Sequence, residues 1–332
     1  MKKNKPLIFM LIALVILGIF VYFLNYQAKV SSKIQYGVTF TPKYAEYLGF
    51  KWQEVLLLIL KELGVKELRL TTYWEQVEPL ENEYYFDDIL YQLDKAHQYQ
   101  AKVLLVVGAK QPRWPECHYP SWAKTMTLKE RQSATLRMIE SVVTRLKFHP
   151  AITSWQVENE PLFGFGENCD PSDPKFLKSE VELVRKLDPN RKIIVTDTGE
   201  WRPWITPMQV SDILGISLYR RIHHPFLGYV TYPFSPGSYQ LRSNIIRNLF
   251  APKNQKTIIT ELQTEPWLIN GVKDSPISEQ VNIFSPQDFQ DNIEFGENTG
   301  FDQFYLWGVE WWLYMKENGY PEYWEYAKKV FN

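Results

Sequence analysis

Eight short apolar runs of strand length, interleaved with helical patterns, constrain this 332-residue chain more than any other feature. They fall at residues 36–40, 67–71, 102–107, 153–157, 192–196, 213–218, 257–260 and 303–307. Between them, apolar residues recur with helical period over 52–63, 87–99, 128–147, 174–187, 239–249 and 286–298, and again over 323–330 at the end. The fifth connection is expected to hold a short helix or none, because Pro203 and Pro207 leave little room. Thr127-Leu-Lys-Glu130 reads as a capping box, and Ser285-Pro286 as an N-cap followed by proline at the first helical position. Regular alternation of this kind builds a parallel sheet covered by helices, and eight units in ~300 residues predict one (β/α)8 TIM barrel rather than an open sheet. No Gly-x-Gly-x-x-Gly follows the first run, so the usual dinucleotide-binding sheet is set aside.

Residues 1–32 stand apart from this pattern. Lys2, Lys3 and Lys5 precede an uninterrupted apolar run, 7–24. As a helix, such a run rises ~27 Å, close to the ~30 Å hydrocarbon core of a bilayer. A cleaved signal peptide has a shorter apolar region and a small-residue cleavage site, and Asn25-Tyr-Gln-Ala28 offers no clean Ala-x-Ala. The expectation is a signal anchor with its lysines on the cytoplasmic side and residues 33–332 outside the cell; a cleaved, secreted form is the alternative. In that compartment Cys117 and Cys169, which follow the third and fourth runs, are expected to pair as a disulfide, with two free thiols the alternative. Their spacing matches no metal or redox motif, and no cofactor is expected. The formal net charge of -1 gives no reason to expect a nucleic-acid partner. No linker or second domain is visible after residue 32, and a monomer is expected.

Two of the apolar runs end abruptly in a carboxylate, in Trp155-Gln-Val-Glu-Asn-Glu160-Pro161 and in Thr257-Ile-Ile-Thr-Glu261-Leu. In a barrel of this kind, chemistry gathers at the C-terminal ends of the strands. There Asn159 and Glu160 meet Glu261, Tyr219, Arg220 and Trp307 on one face. Facing carboxylates are the minimum equipment for cutting a glycosidic bond. Glu158, just before the first, and Glu265, just after the second, are the nearest competitors, and a solvated surface carboxylate is the plain alternative for either of Glu160 and Glu261. Aromatic residues make up 15% of the chain, more than a core requires, and flat rings cover the apolar faces of sugars. Trp307 is the candidate platform under the cleaved sugar; Trp74, Trp114, Trp201, Trp267 and Trp311 are candidates for flanking subsites. Residues 229–239 read as a long ordered loop over the cleft, and His223-His224 as a loop feature rather than a metal site.

The order of Arg69, Asn159-Glu160-Pro161, Tyr219, Glu261 and Trp307 resembles the clan A retaining glycoside hydrolases, and the resemblance runs from about Tyr36 to Trp324. It implies that Glu160 is the acid/base, Glu261 the nucleophile, and Asn159 a donor to the sugar 2-hydroxyl. Arg69 and Tyr219 would hold Glu261. Within the clan the chain is similar to the cellulase-like family 5. It lacks, however, the histidines common at the end of the third strand and before the sixth-strand tyrosine; Val107-Gly-Ala-Lys110 and Ser217-Leu-Tyr219 stand there. Gln111-Pro-Arg-Trp114-Pro is more similar to the β-galactosidase and β-xylosidase branches. The implied activity is a retaining O-glycosyl hydrolase acting on a β-linked oligo- or polysaccharide. Transglycosylation with the same machinery, and a membrane-tethered carbohydrate-binding barrel without catalysis, are the alternatives.

Overall fold

The computed structural model describes residues 10, 14, 17, 18, 21–252 and 254–332. The strands are β1 (Gln35–Phe40), β2 (Glu67–Thr71), β3 (Lys102–Val107), β4 (Ile152–Val157), β5 (Lys192–Asp197), β6 (Ile213–Leu218), β7 (Arg221–His224), β8 (Gly228–Thr231), β9 (Lys256–Gln263) and β10 (Gln303–Trp307). Eight of them pair in parallel and close a barrel in the order β1-β10-β9-β6-β5-β4-β3-β2. The expected (β/α)8 architecture is therefore present. β7 and β8 form a separate antiparallel hairpin between β6 and its helix.

Alternating side chains divide each strand between two environments. Residues such as Leu68, Trp155, Val157, Ile259 and Leu306 point outward and pack under the helices in the main core. Leu104, Ile194, Ile258 and Tyr305 make a second, smaller cluster. Tyr305 fills space that the β1 side leaves empty: a Cβ on Gly37 would lie 2.9 Å from the Tyr305 ring. The helices carry the expected caps. Thr127 and Glu130 form the capping box of Leu128–Leu146, and Ser285 with Asp288 caps Pro286–Glu297.

The fifth connection holds the short helix Ile205–Val210, within the expectation of a short helix or none, and two other expectations need correction. Residues 229–239 are not one long loop: they contain β8 and the first turn of the helix Pro236–Phe250, for which Pro236 supplies the N-terminal turn. β9 runs three residues beyond 260, so Glu261 lies within the strand rather than just past it. The apolar run 7–24 lies for the most part outside the described residues, and among the described residues no helix is long and apolar enough to cross a membrane.

Residues 26–29 lie flush against the barrel wall. A side chain on Gly237, in the helix Pro236–Phe250, would run into the backbone of Tyr26 and Ala28, and one on Gly300 would lie 2.8 Å from the carbonyl of Lys29.

Candidate active site

Arg69, in the middle of β2, is fully buried and organises the upper layer of the barrel interior. Its Nε donates to Gln156 Oε1 at 2.8 Å, Nη2 to Asn159 Oδ1 at 2.7 Å, and Nη1 to Glu261 Oε1 at 2.8 Å. A guanidinium has five donors in a fixed fork, and here they join β2, β4 and β9. Tyr219, just past β6, donates its hydroxyl to the other oxygen, Glu261 Oε2, at 2.9 Å.

The inward aim of Glu261 depends on an irregularity in β9. Ile216 pairs with Ile259 while Ser217 pairs with Glu261, and the register against β10 shifts at the same place. One extra residue is thus inserted at Thr260. Ile258 belongs to the smaller cluster and Ile259 to the main core, so strict alternation would send Glu261 outward. The bulge resets the phase, and the freed Thr260 carbonyl accepts from Arg69 Nη1 at 3.2 Å.

At β4 the phase is reset by conformation. Glu158 and Glu160 have φ of 59° and 45°, a region that non-glycine residues seldom adopt. Glu158 turns back beneath the third-strand loop, where its carboxylate accepts the Ala109 and Lys110 amides at 2.8 and 2.5 Å. Gly108, at φ +122°, leaves room for it; any Cβ there would overlap the Glu158 carboxylate. Glu160 faces the site. Its amide donates to Thr196 Oγ1 at 2.8 Å and its Oε1 accepts from Ser217 Oγ at 2.6 Å. Lys110 Nζ holds its carbonyl at 3.0 Å. Burial, with the charge of Glu261 adding to it, pushes the Glu160 carboxyl well above the usual carboxylate range.

Glu116 is a third carboxylate at this site, and the sequence reading did not single it out. Its Oε2 accepts from Asn159 Nδ2 at 3.0 Å, and burial followed by Glu261 pushes its carboxyl up to about 7. It sits between the cis Trp114–Pro115 bond and Cys117 in a turn, where an acidic residue resembles any solvated one; only the neighbouring Arg-Trp-Pro offered a signal. Ser217 and Thr196 were missed because each looks like an ordinary strand residue, and Lys110 because it looks like an ordinary loop lysine.

Beside the carboxylates opens a cavity of about 800 Å³ lined by Glu116, Tyr219, Trp267, Trp114, Phe165 and Trp307, among others. Trp267 stands edge-on to Tyr219 at 5.4 Å, and Phe165 lies 5.7 Å from both Trp267 and Trp114. Trp307 carries the Arg113 guanidinium 4.1 Å from its ring centroid. Arg113 ion-pairs with Glu265 and reaches Glu310 at 3.2 Å, so Glu265 is engaged away from Glu261. Trp74 and Trp311 do not line a subsite. Both are fully buried, with their indole N–H groups donating inward to Glu78 and Gln280. Arg220 likewise turns away, donating to Asn292 and stacking on Phe295. Cys117 and Cys169 are disulfide-bonded and tie the third-strand loop to the fourth. Among the described residues, no cluster of potential metal ligands occurs.

Comparison with known proteins gives the same direction. A family model described as β-galactosidase, Glyco_hydro_42, matches residues 49–192. No curated protein matches the chain. Among solved structures, GH5_18 from Bifidobacterium longum is similar at 13% identity and a TM-score of 0.61, over 83% of this chain and 70% of that one. The β-galactosidase of Marinomonas ef1 is similar at 14% identity and a TM-score of 0.56, over 90% and 59% of the two chains. The exo-β-1,4-mannosidase Op5Man5 of an Opitutaceae bacterium is similar at 14% identity and a TM-score of 0.55, over 86% and 53%. This chain thus spans little more than half the length of the last two. At these identities the structural likeness concerns the fold. The family match over residues 49–192 agrees with the resemblance to glycoside hydrolases read from the sequence and supports a glycosidase, while the solved structures share the barrel fold.

Proposed function

We propose that the chain is a retaining glycoside hydrolase that cleaves a β-linked glycan by double displacement. The observation that carries this reading is the contrast between its two carboxyl groups. Glu261 takes one hydrogen bond from a guanidinium and one from a phenol, which suits an ionised nucleophile. Glu160 is buried beside it with its proton held well above the usual range, which suits an acid. In the first step Glu160 gives its proton to the glycosidic oxygen as the C1–O bond breaks, and a Glu261 oxygen bonds to C1. In the second step Glu160, now ionised, takes a proton from water; the water oxygen bonds to C1 and Glu261 leaves with its electron pair.

Asn159, with its amide group between Arg69 and Glu116, would donate to a sugar hydroxyl, and Trp307, Trp114 and Trp267 would cover sugar faces. The names of similar proteins point to β-galactosides and β-mannosides, and GH5_18 from Bifidobacterium longum was solved with Manβ1-4GlcNAc. Transfer to a second sugar is the next reading, favoured by the aromatic wall beyond the carboxylates, where an acceptor would bind. We further propose that the apolar run 7–24 anchors the enzyme in the cell membrane with the barrel outside.

The test is turnover of aryl β-glycosides with analysis of the first-formed anomer, beside Glu160→Ala and Glu261→Ala. Retention is expected, with each variant about 100-fold slower or worse. Azide should give a β-glycosyl azide with Glu160→Ala and an α-azide with Glu261→Ala. Inversion, or full activity in either variant, would overturn the assignment.

A further inference from the structure

We propose that Glu116 is a specificity-determining residue which accepts a hydrogen bond from the sugar hydroxyl next to the reacting carbon; this rests on the hydrolase reading above. The carboxylate is built into the site. Glu116 has φ of 71°, and the turn that carries it is closed by two hydrogen bonds of 2.8 Å, from its amide to Arg113 and from the Gln111 amide to its carbonyl. Its neighbour Cys117 is bonded to Cys169, which fixes the turn from the other side. A residue held in a sparsely populated conformation by its surroundings marks a position whose aim matters.

What Glu116 aims at follows from its partners. It is only 8% exposed, yet it lines the cavity. One oxygen, Oε2, takes the Asn159 amide, while among the described residues no donor lies within hydrogen-bond distance of Oε1. Oε1 is therefore open to the cavity, where a ligand hydroxyl could supply the donor. The chain Glu116–Asn159–Arg69–Glu261 is continuous, each link a hydrogen bond of 3.0 Å or less. Glu261 bonds to the anomeric carbon, so the polar group of the sugar nearest this chain is the hydroxyl on the adjacent carbon. Asn159 Nδ2, a donor, and Glu116 Oε1, an acceptor, then offer that hydroxyl both of its roles. Contacts at this hydroxyl strengthen in the transition state of glycosyl transfer. A site that pairs a hydroxyl in this way discriminates strongly against the analogue that lacks it.

The experiment uses the full chain and 4-nitrophenyl β-D-galacto-, gluco- and mannopyranosides, each beside its 2-deoxy counterpart. Glu116→Gln keeps the shape but, with its carbonyl oxygen turned to Asn159, presents N–H to the cavity. Expected is a fall of about 10-fold or more in the ratio of kcat/KM for the hydroxylated over the 2-deoxy substrate. Glu116→Asp should recover part of it, and thermal midpoints should show both variants folded. An active wild type whose ratio is unchanged in Glu116→Gln, both substrates slowing equally, overturns this inference alone and leaves Glu116 as a support for Asn159. A wild type that neither hydrolyses nor binds any of these glycosides overturns the hydrolase reading with it.

Discussion

Asp197 ends β5 and is 1% exposed, with its Oδ1 accepting the Thr198 amide at 3.0 Å and Arg202 no nearer than 4.0 Å. Burial outweighs both partners and pushes the carboxyl up to about 7. A carboxyl raised in the folded state favours folding while it is protonated. Its contribution is therefore full below about pH 4 and is lost as pH rises through 7. Asp197→Asn keeps the acceptor and removes the charge, so it should raise the unfolding midpoint at pH 8 and leave it nearly unchanged at pH 4. The gain is on the order of a few kcal/mol. Chemical denaturation at the two pH values checks this; an equal effect at both would contradict it. Single residues of the site differed in how well the sequence disclosed them. Glu160 and Glu261 each interrupt an apolar run, where a charge must have a reason. Glu116 and Ser217 sit among polar neighbours, and only folding brings them to Asn159 and Glu160.

Strand and helix positions were legible because burial imposes periods of two and 3.6 residues on the sequence. The bulge at Thr260 was not, since inserting one residue changes the phase without changing composition. The positive φ values at Glu158 and Glu160 escaped for a related reason: no glycine or asparagine stands at either position to announce them. The β3 and β4 loops are instead held by the disulfide, which joins residues 52 apart in sequence. Closing a loop of that length constrains the unfolded chain by about 4 kcal/mol. Cys117→Ser with Cys169→Ser should lower stability by roughly 2–4 kcal/mol and slow turnover, because Glu116 is bonded directly to Cys117. Differential scanning calorimetry and kcat of the pair variant test both; a stable variant with undiminished kcat would show that the loops hold themselves.

Across the whole molecule, Arg113 acts as a clamp. From the third-strand loop it pairs with Glu265 beyond β9 and with Glu310 on the helix Val309–Glu317, while its guanidinium lies 3.8 Å from the Tyr44 ring centroid and 4.1 Å from that of Trp307. Glu310 is fully buried, and burial raises its carboxyl although Arg113 opposes this. Removing the cation would strand that charge. Arg113→Met is expected to cost about 3–5 kcal/mol in urea unfolding, and a loss below ~1 kcal/mol would mean Glu310 is carried by the Thr41 amide instead. The fold class was legible because eight repeated units leave few alternatives, whereas such long-range pairs are set by closure of the barrel and have no local signature. The flush packing of residues 26–29 has a mechanical corollary. Any side chain larger than hydrogen at Gly237 or Gly300 would have to push this segment off the wall, so two glycines far apart in sequence decide whether residues 26–29 can lie where they do.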